Sequence, residues 1–164
     1  MRAGLPPTPS EGPRGWYSRG YLPHFDAAEL PQSITFRLAD SLPSHVLDAM
    51  EEQLRALPGE ERDAARWERL EAWLDAGKGE PLLADARIGR MVEETLLRFD
   101  GERYRLHAWC VMPNHVHVLE TSQPGYRLAD IVQSWKSFTA KAANRLLGRS
   151  GRFWARDFFD RFIR

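Results

Sequence analysis

Residues 103–120, RYRLHAWCVMPNHVHVLE, constrain the fold of this chain more than any other stretch. They are dense in β-branched and aromatic residues, the composition of paired strands. Pro113 stands in their midst and has no N–H to give a sheet ladder, so Pro113-Asn114 joins two strands or kinks one at a sheet edge. After Pro124-Gly125, the residues Leu128, Ile131, Val132, Trp135, Phe138, Ala142 and Leu146 recur at helical spacing, and Gly148 stops the run. That pattern predicts a long helix over about 128–147 with Trp135 and Phe138 in the core.

The remaining elements fit around this strand pair and helix. Ile34, Phe36 and Leu38 alternate with Thr35 and Arg37, which predicts a strand over 33–38. Ser44 is the expected N-cap of a helix whose stripe is Val46, Leu47, Met50, Leu54 and Leu57, ended by Pro58-Gly59. A charged helix over 60–76 stops at the Gly77–Pro81 break, and a third runs from Ala86 to Phe99 behind Asp85 as N-cap. Residues 14–26 show no periodicity and read as an ordered loop or irregular edge. Residues 1–13 are Pro-rich and small, which predicts a disordered lead-in. The closing FWARDFFDRFIR fits a short helix or a strand equally. The element order is that of an α+β fold, helices packed on a sheet, in one domain of 164 residues.

Charge is balanced overall, 23 Lys+Arg against 23 Asp+Glu, which excludes a wholly basic nucleic-acid binder. Its distribution is uneven. Between Asp48 and Glu80 ten acidic residues face five basic ones, the mark of a solvated helix pair. Between Arg127 and Arg164 nine basic residues face three acidic ones, with Phe138, Phe153, Trp154, Phe158, Phe159 and Phe162 interleaved. Cations that track phosphates and rings that stack on bases suit a nucleic-acid strand. The lone cysteine, Cys110, excludes a disulfide framework and a thiol zinc cage, and its apolar neighbours predict a core position. No apolar run reaches the roughly 20 residues of a membrane span, so a cytoplasmic protein with no membrane partner is expected.

His115 and His117 are two apart on a predicted strand, which puts both imidazoles on one face while Val116 and Val118 point into the core. Neutral imidazole is the commonest transition-metal ligand, and a metal on a sheet face can polarise a phosphate or carbonyl. His107 shares their parity across the Pro113 interruption, and His24 and His45 read as structural.

These residues carry a resemblance. WCVMPNHVHVL at 109–119 resembles the signature of the REP-associated tyrosine transposases, members of the HUH superfamily of single-strand transposases named for a His-hydrophobic-His triplet, here His115, Val116 and His117. RGWYSRGYLPHFD at 14–26 with SITFRLADSLP at 33–43 is similar to the family's amino-terminal block, and 134–164 to its later helix and following segment. The resemblance implies a ferredoxin-like HUH domain over 14–164, a central antiparallel sheet with flanking helices and an extra charged helical insertion at about 58–85. It implies binding of single-stranded DNA hairpins of the repetitive palindromic type, a divalent metal (Mg²⁺ or Mn²⁺) on His115 and His117, and strand cleavage and joining in DNA transposition. In the family a tyrosine on a later helix, near a Tyr-Ile-x-x-Asn-Pro motif, attacks the phosphate, and a polar residue of that helix completes the metal shell.

Tyr17, Tyr21, Tyr104 and Tyr126 do not stand in that context, so no nucleophile is assigned. The expectation is a chain lacking the catalytic helix, which binds a hairpin and forms no covalent adduct. Lys136, Lys141, Arg145, Arg149 and Arg152 are the expected phosphate contacts, and Arg14 and Arg19, beside Trp16 and Tyr17, the expected single-strand contacts. The alternative is a non-catalytic DNA-binding module with a vestigial metal site. A barrel hydrolase would need about 250 residues. Monomer and homodimer both remain open.

Overall fold

Ile34 and Phe36 on one strand, Val116 and Val118 on another, are all buried, and their alternation fixes which face of the main sheet meets the core. The structure is a computed structural model that describes residues 15–18 and 23–163. The expected lead-in at 1–13, together with Arg14, Arg19 and Tyr21, lies outside the described residues. The elements in chain order are β1 (Gly15–Ser18), β2 (Pro23–Asp26), β3 (Pro31–Arg37), α1 (Ser44–Leu54), α2 (Gly59–Asp75), α3 (Ala86–Leu97), β4 (Tyr104–Val111), β5 (His115–Ser122), α4 (Leu128–Leu147) and β6 (Phe159–Phe162).

The main sheet has the order β4-β5-β3-β6 with every pairing antiparallel. Strand, helix, two hairpin-linked strands, helix, strand in that order is the ferredoxin-like split βαβ arrangement. β1 and β2 pair antiparallel as a separate two-stranded sheet, where the sequence pattern reads as an ordered loop or irregular edge. The reason is its short length: four residues a strand give too little alternation to read. The closing segment resolves as strand β6, because its backbone completes the ladder of β3.

The two faces of the sheet have different coverings. α3 and α4 pack on the face carrying Ile34, Phe36, Val116 and Val118, where Ile88, Val92, Leu96, Leu128, Val132 and Trp135 bury their side chains. Each such burial contributes about 1.5–3 kcal/mol. Gly148 ends α4 in the left-handed conformation at φ 60°, as the sequence expects. α3 is thus the crossover helix that the fold requires, and α1 with α2 forms an additional pair. That pair packs on the other face, where Leu42, Met50, Leu54 and Leu70 enclose Phe159, the register partner of Thr35.

Several expectations change. Ser44 is the first helical residue behind Pro43 and makes no capping bond, whereas Asp85 does cap α3, accepting from the Arg87 N–H. Cys110 is exposed, because β4 is an edge strand whose outer part has no layer over it. Phe138 is 54% exposed and Leu146 46%, since the α4 stripe is wider than the sheet beneath it. Lys136 is buried, and its ammonium donates to the carbonyls of Arg156 and Asp157. It is not a surface cation.

Glu120 lies on the core face, fully buried, and burial pushes its pKa up to about 8 against the lowering by the Ser122 hydroxyl that donates to it, with the Asp26 carboxylate adding a smaller upward push. A carboxyl whose folded pKa is raised favours the folded state below its unfolded value near 4.5, and that contribution is lost as pH rises toward 8. Glu120→Gln, which is neutral at every pH, is therefore expected to stabilise the protein at pH 8.5 relative to the parent and to change it little at pH 4.5. Urea midpoints at the two pH values measure this; an equal effect at both would contradict it.

Candidate metal centre and nucleic-acid surface

Two-residue periodicity places His115 and His117 on the face opposite Val116 and Val118, beside Arg37 and Thr35 of β3, as the sequence predicts. Their Nε2 atoms lie 2.9 Å apart with the rings nearly perpendicular. Each Nδ1 is engaged on the outer side. His115 Nδ1 is 2.6 Å from Asn114 Oδ1, and His117 Nδ1 is 2.8 Å from Thr35 Oγ1.

The proton positions follow from Asn114. Its buried amide nitrogen donates to the carbonyls of Leu74 and Lys78, both at 3.1 Å, so its oxygen faces His115 and can only accept. His115 therefore carries its proton on Nδ1 and presents a lone pair at Nε2. Burial, then the neighbouring His117, lower the His115 pKa to about 4 against a weaker opposite pull from Asp75. At neutral pH this imidazole is an uncharged base. With His115 Nε2 bare, His117 Nε2–H donates to it, and the Thr35 hydroxyl donates to His117 Nδ1. A hydroxyl can also accept, so His117 can change tautomer and free its own Nε2 without losing Thr35.

The pair fits a divalent ion. Two donors 2.9 Å apart match neighbouring ligands of one octahedral ion at bond lengths of about 2.1 Å, and both rings have the outer hydrogen bonds that orient metal-binding histidines. Asp75, at the end of α2, brings a carboxylate oxygen to 3.8 Å from His115 Nε2. Single donor atoms of Asp75, His115 and His117 all lie within 4.8 Å of one another. Sequence reasoning missed Asp75, 40 positions before His115, as well as the supporting Thr35 and Asn114; strand parity puts Thr35 on the face opposite Ile34 and Phe36, but only the β3–β5 register brings it beside His117.

The surroundings are open on one side. On β4 the same sheet face carries the exposed Arg105, His107 and Cys110, with Cys110 the register partner of His117 on β5. His107 pairs with Thr121 at 2.9 Å and stands apart from the metal pair. Among the expected phosphate contacts, Lys141, Arg145, Arg149 and Arg152 are exposed. α4 lies across the opposite face, but the chain leaving it reaches the His115 end: Arg149 meets Glu80 at 2.9 Å, and the Phe153 carbonyl accepts from Ala39 N–H. Trp16, 62% exposed, packs on Phe25 and Phe162 at the other end of the sheet.

Tyr104 is excluded as a nucleophile for this site. It is buried on the α3–α4 face, its hydroxyl donates to the Leu96 carbonyl and accepts from Trp135 Nε1–H, and burial raises its pKa further. Tyr126 is half-buried against the core of that face.

Residues 85–161 match the family described as transposase, IS200-like. The IS200-like segment thus runs from the N-cap of α3 into β6 and includes both histidines, while β3, α1 and α2 precede it. No curated protein matches the chain. Among solved structures, a REP-associated tyrosine transposase bound to a REP hairpin is similar at 15% identity and a TM-score of 0.49, over 86% of this chain and 60% of that one. A putative transposase from Deinococcus radiodurans R1 is similar at 15% identity and a TM-score of 0.39, over 90% of this chain and 85% of that one. The chain therefore spans 60% of the length of the first of these structures.

The hydrogen-bond assignment is directly measurable. In metal-free protein at pH 8, two-bond ¹⁵N–¹H correlation spectra are expected to show His115 as the Nδ1–H tautomer and His117 as the Nε2–H tautomer. An Nε2–H signal from His115 would contradict the role given to Asn114.

Proposed function

We propose that this IS200-like chain binds single-stranded or hairpin DNA and takes part in metal-dependent strand cleavage and joining during transposition. The observation that carries the reading is the histidine pair: two Nε2 atoms 2.9 Å apart, each ring braced from behind, on a sheet face with an open side. The transposase match over 85–161 supplies the reaction class. His115 and His117 would hold Mg²⁺ or Mn²⁺, with imidazole favouring Mn²⁺ of the two. When bound, such an ion acts as a Lewis acid on a phosphate oxygen.

The chain's own residues bind and orient the strand. Arg149 and Arg152, which follow α4 to the His115 end, and Arg145 in its last turn offer cations to phosphates. Lys141 extends this surface along the helix. The Arg149–Glu80 ion pair is exposed and worth no more than about 1 kcal/mol, so Arg149 can exchange Glu80 for a phosphate. Lys136 has no part in this surface. Its amine sits under residues 156–157, where burial lowers its pKa to about 8.

Fluorescence anisotropy with a palindromic hairpin bearing a single-stranded flank tests the proposal. Wild type is expected to bind more tightly in Mn²⁺ than in chelator, and His117→Gln to lose that difference while keeping its circular dichroism. Changing Arg145, Arg149 and Arg152 together to Ala is expected to reduce the log–log salt slope by about 2, since each single-strand phosphate contact accounts for about 0.7. Hairpin affinity indifferent to Mn²⁺ in wild type would remove the metal from the reading, and an unchanged salt slope would remove the arginines.

A further inference from the structure

The extra helix pair does more than cover apolar sheet. Asp75 is the last residue of α2, and its carboxylate is 3.8 Å from His115 Nε2 although the side chain is 62% exposed. Asp75, His115 and His117 form the one grouping among the described residues in which at least three His, Cys, Asp or Glu side chains converge at metal-binding spacing.

The end of α2 is held in place on both sides of Asp75. Asn114 donates to the carbonyls of Leu74 and Lys78, the residue before Asp75 and the third after it. The Glu80 N–H donates to Asp40 Oδ2 at 2.8 Å, and Gly79, at φ 87°, lies so close to Asp40 that an added Cβ would come within 3.0 Å of it. The carboxylate is thus presented by a fixed backbone, while its own side chain stays free to turn toward an ion. Asp75 also precedes the segment 85–161 that matches the transposase family, whereas His115 and His117 lie inside it.

We propose that Asp75 is the third protein ligand of the divalent ion, so that metal binding joins the inserted helix α2 to the sheet. The proposal rests on the metal reading of the His pair given above. Two imidazoles and one carboxylate leave three positions of an octahedral ion for phosphate oxygens or water. The carboxylate adds a negative charge and a hard oxygen donor, which Mn²⁺ and Mg²⁺ accept readily. Asn114 is the positioning residue, because one side chain both orients His115 and holds the backbone that carries Asp75. The acidic helix pair then has a task at its tip, beyond being a solvated surface.

Mn²⁺ titrations followed by electron paramagnetic resonance, on wild type, Asp75→Asn and His117→Gln, test this without reference to activity. Asp75 is exposed, so the amide variant is expected to keep the fold, checked by thermal melting. Asp75→Asn is expected to weaken Mn²⁺ binding at least tenfold, and Asp75→Glu to recover part of the loss. Hydrogen exchange supplies a second readout: Mn²⁺ slows exchange across 72–78 in wild type and leaves Asp75→Asn unchanged. If Asp75→Asn binds Mn²⁺ like wild type while His117→Gln does not, the Asp75 proposal is wrong and the His pair stands. If wild type binds no Mn²⁺, or His117→Gln binds it equally well, the metal reading itself falls and takes this proposal with it.

Discussion

Asn114 hydrogen-bonds in two directions at once. Its amide nitrogen donates to two carbonyls at the end of α2, and its oxygen accepts from His115 Nδ1. A buried amide with its donors committed has one orientation, so the tautomer of the neighbouring ring is fixed as well. From that ring the chain continues through His117 to Thr35. Four side chains, three from residues 114–117 and one from β3, are thereby set by one hydrogen-bonded path, and one tautomer change at His117 turns both Nε2 atoms into free donors without moving either ring. Such preorganisation is what a metal site on a strand pair needs, because the strands alone fix the Cβ positions and not the ring angles.

The sheet divides the work between its faces. One face is sealed by α3 and α4 around Phe36, Tyr104 and Trp135, and tolerates polar groups only when they are bonded, as the Tyr104 hydroxyl is. The other face is only partly covered by α1 and α2, which leaves the β4–β5 half open beside the His pair. The chain leaving α4 after Gly148 runs round to the His115 end of the sheet, where Arg149 pairs with Glu80 and the Phe153 carbonyl accepts from Ala39 N–H. Charge asymmetry along the sequence thus becomes nearness in space: Glu80 from the acidic stretch meets Arg149 from the basic one.

Much of this was legible in the sequence because it is periodic. The alternation of β3 and β5, the heptad-like stripe of α4, the Gly148 stop and the His-Val-His parity all repeat over enough residues to be read directly. The His-x-His triplet, with its flanking residues, also supported the transposase resemblance that residues 85–161 match. Helical spacing tells which residues share a face but not how wide the covering layer is. For that reason Phe138 was expected in the core and lies on the surface, while Lys136 was expected on the surface and lies under residues 156–157. Cys110 misled in the same way, since apolar neighbours along a strand do not reveal that the strand is an edge.

The sequence by itself determined the longer elements, the face shared by His115 and His117, and the class of fold, because those depend on periods of two and 3.6 residues and on where glycine and proline interrupt them. The tertiary structure alone decided which residues surround that pair. Asp75 comes from 40 positions upstream and Thr35 from 82, and no local pattern joins them to His115 and His117. They meet because the α1–α2 pair packs its apolar side on Phe159 and a β3 ladder sets its register on β5. Both are consequences of burying surface that the sequence marks as apolar without saying against what.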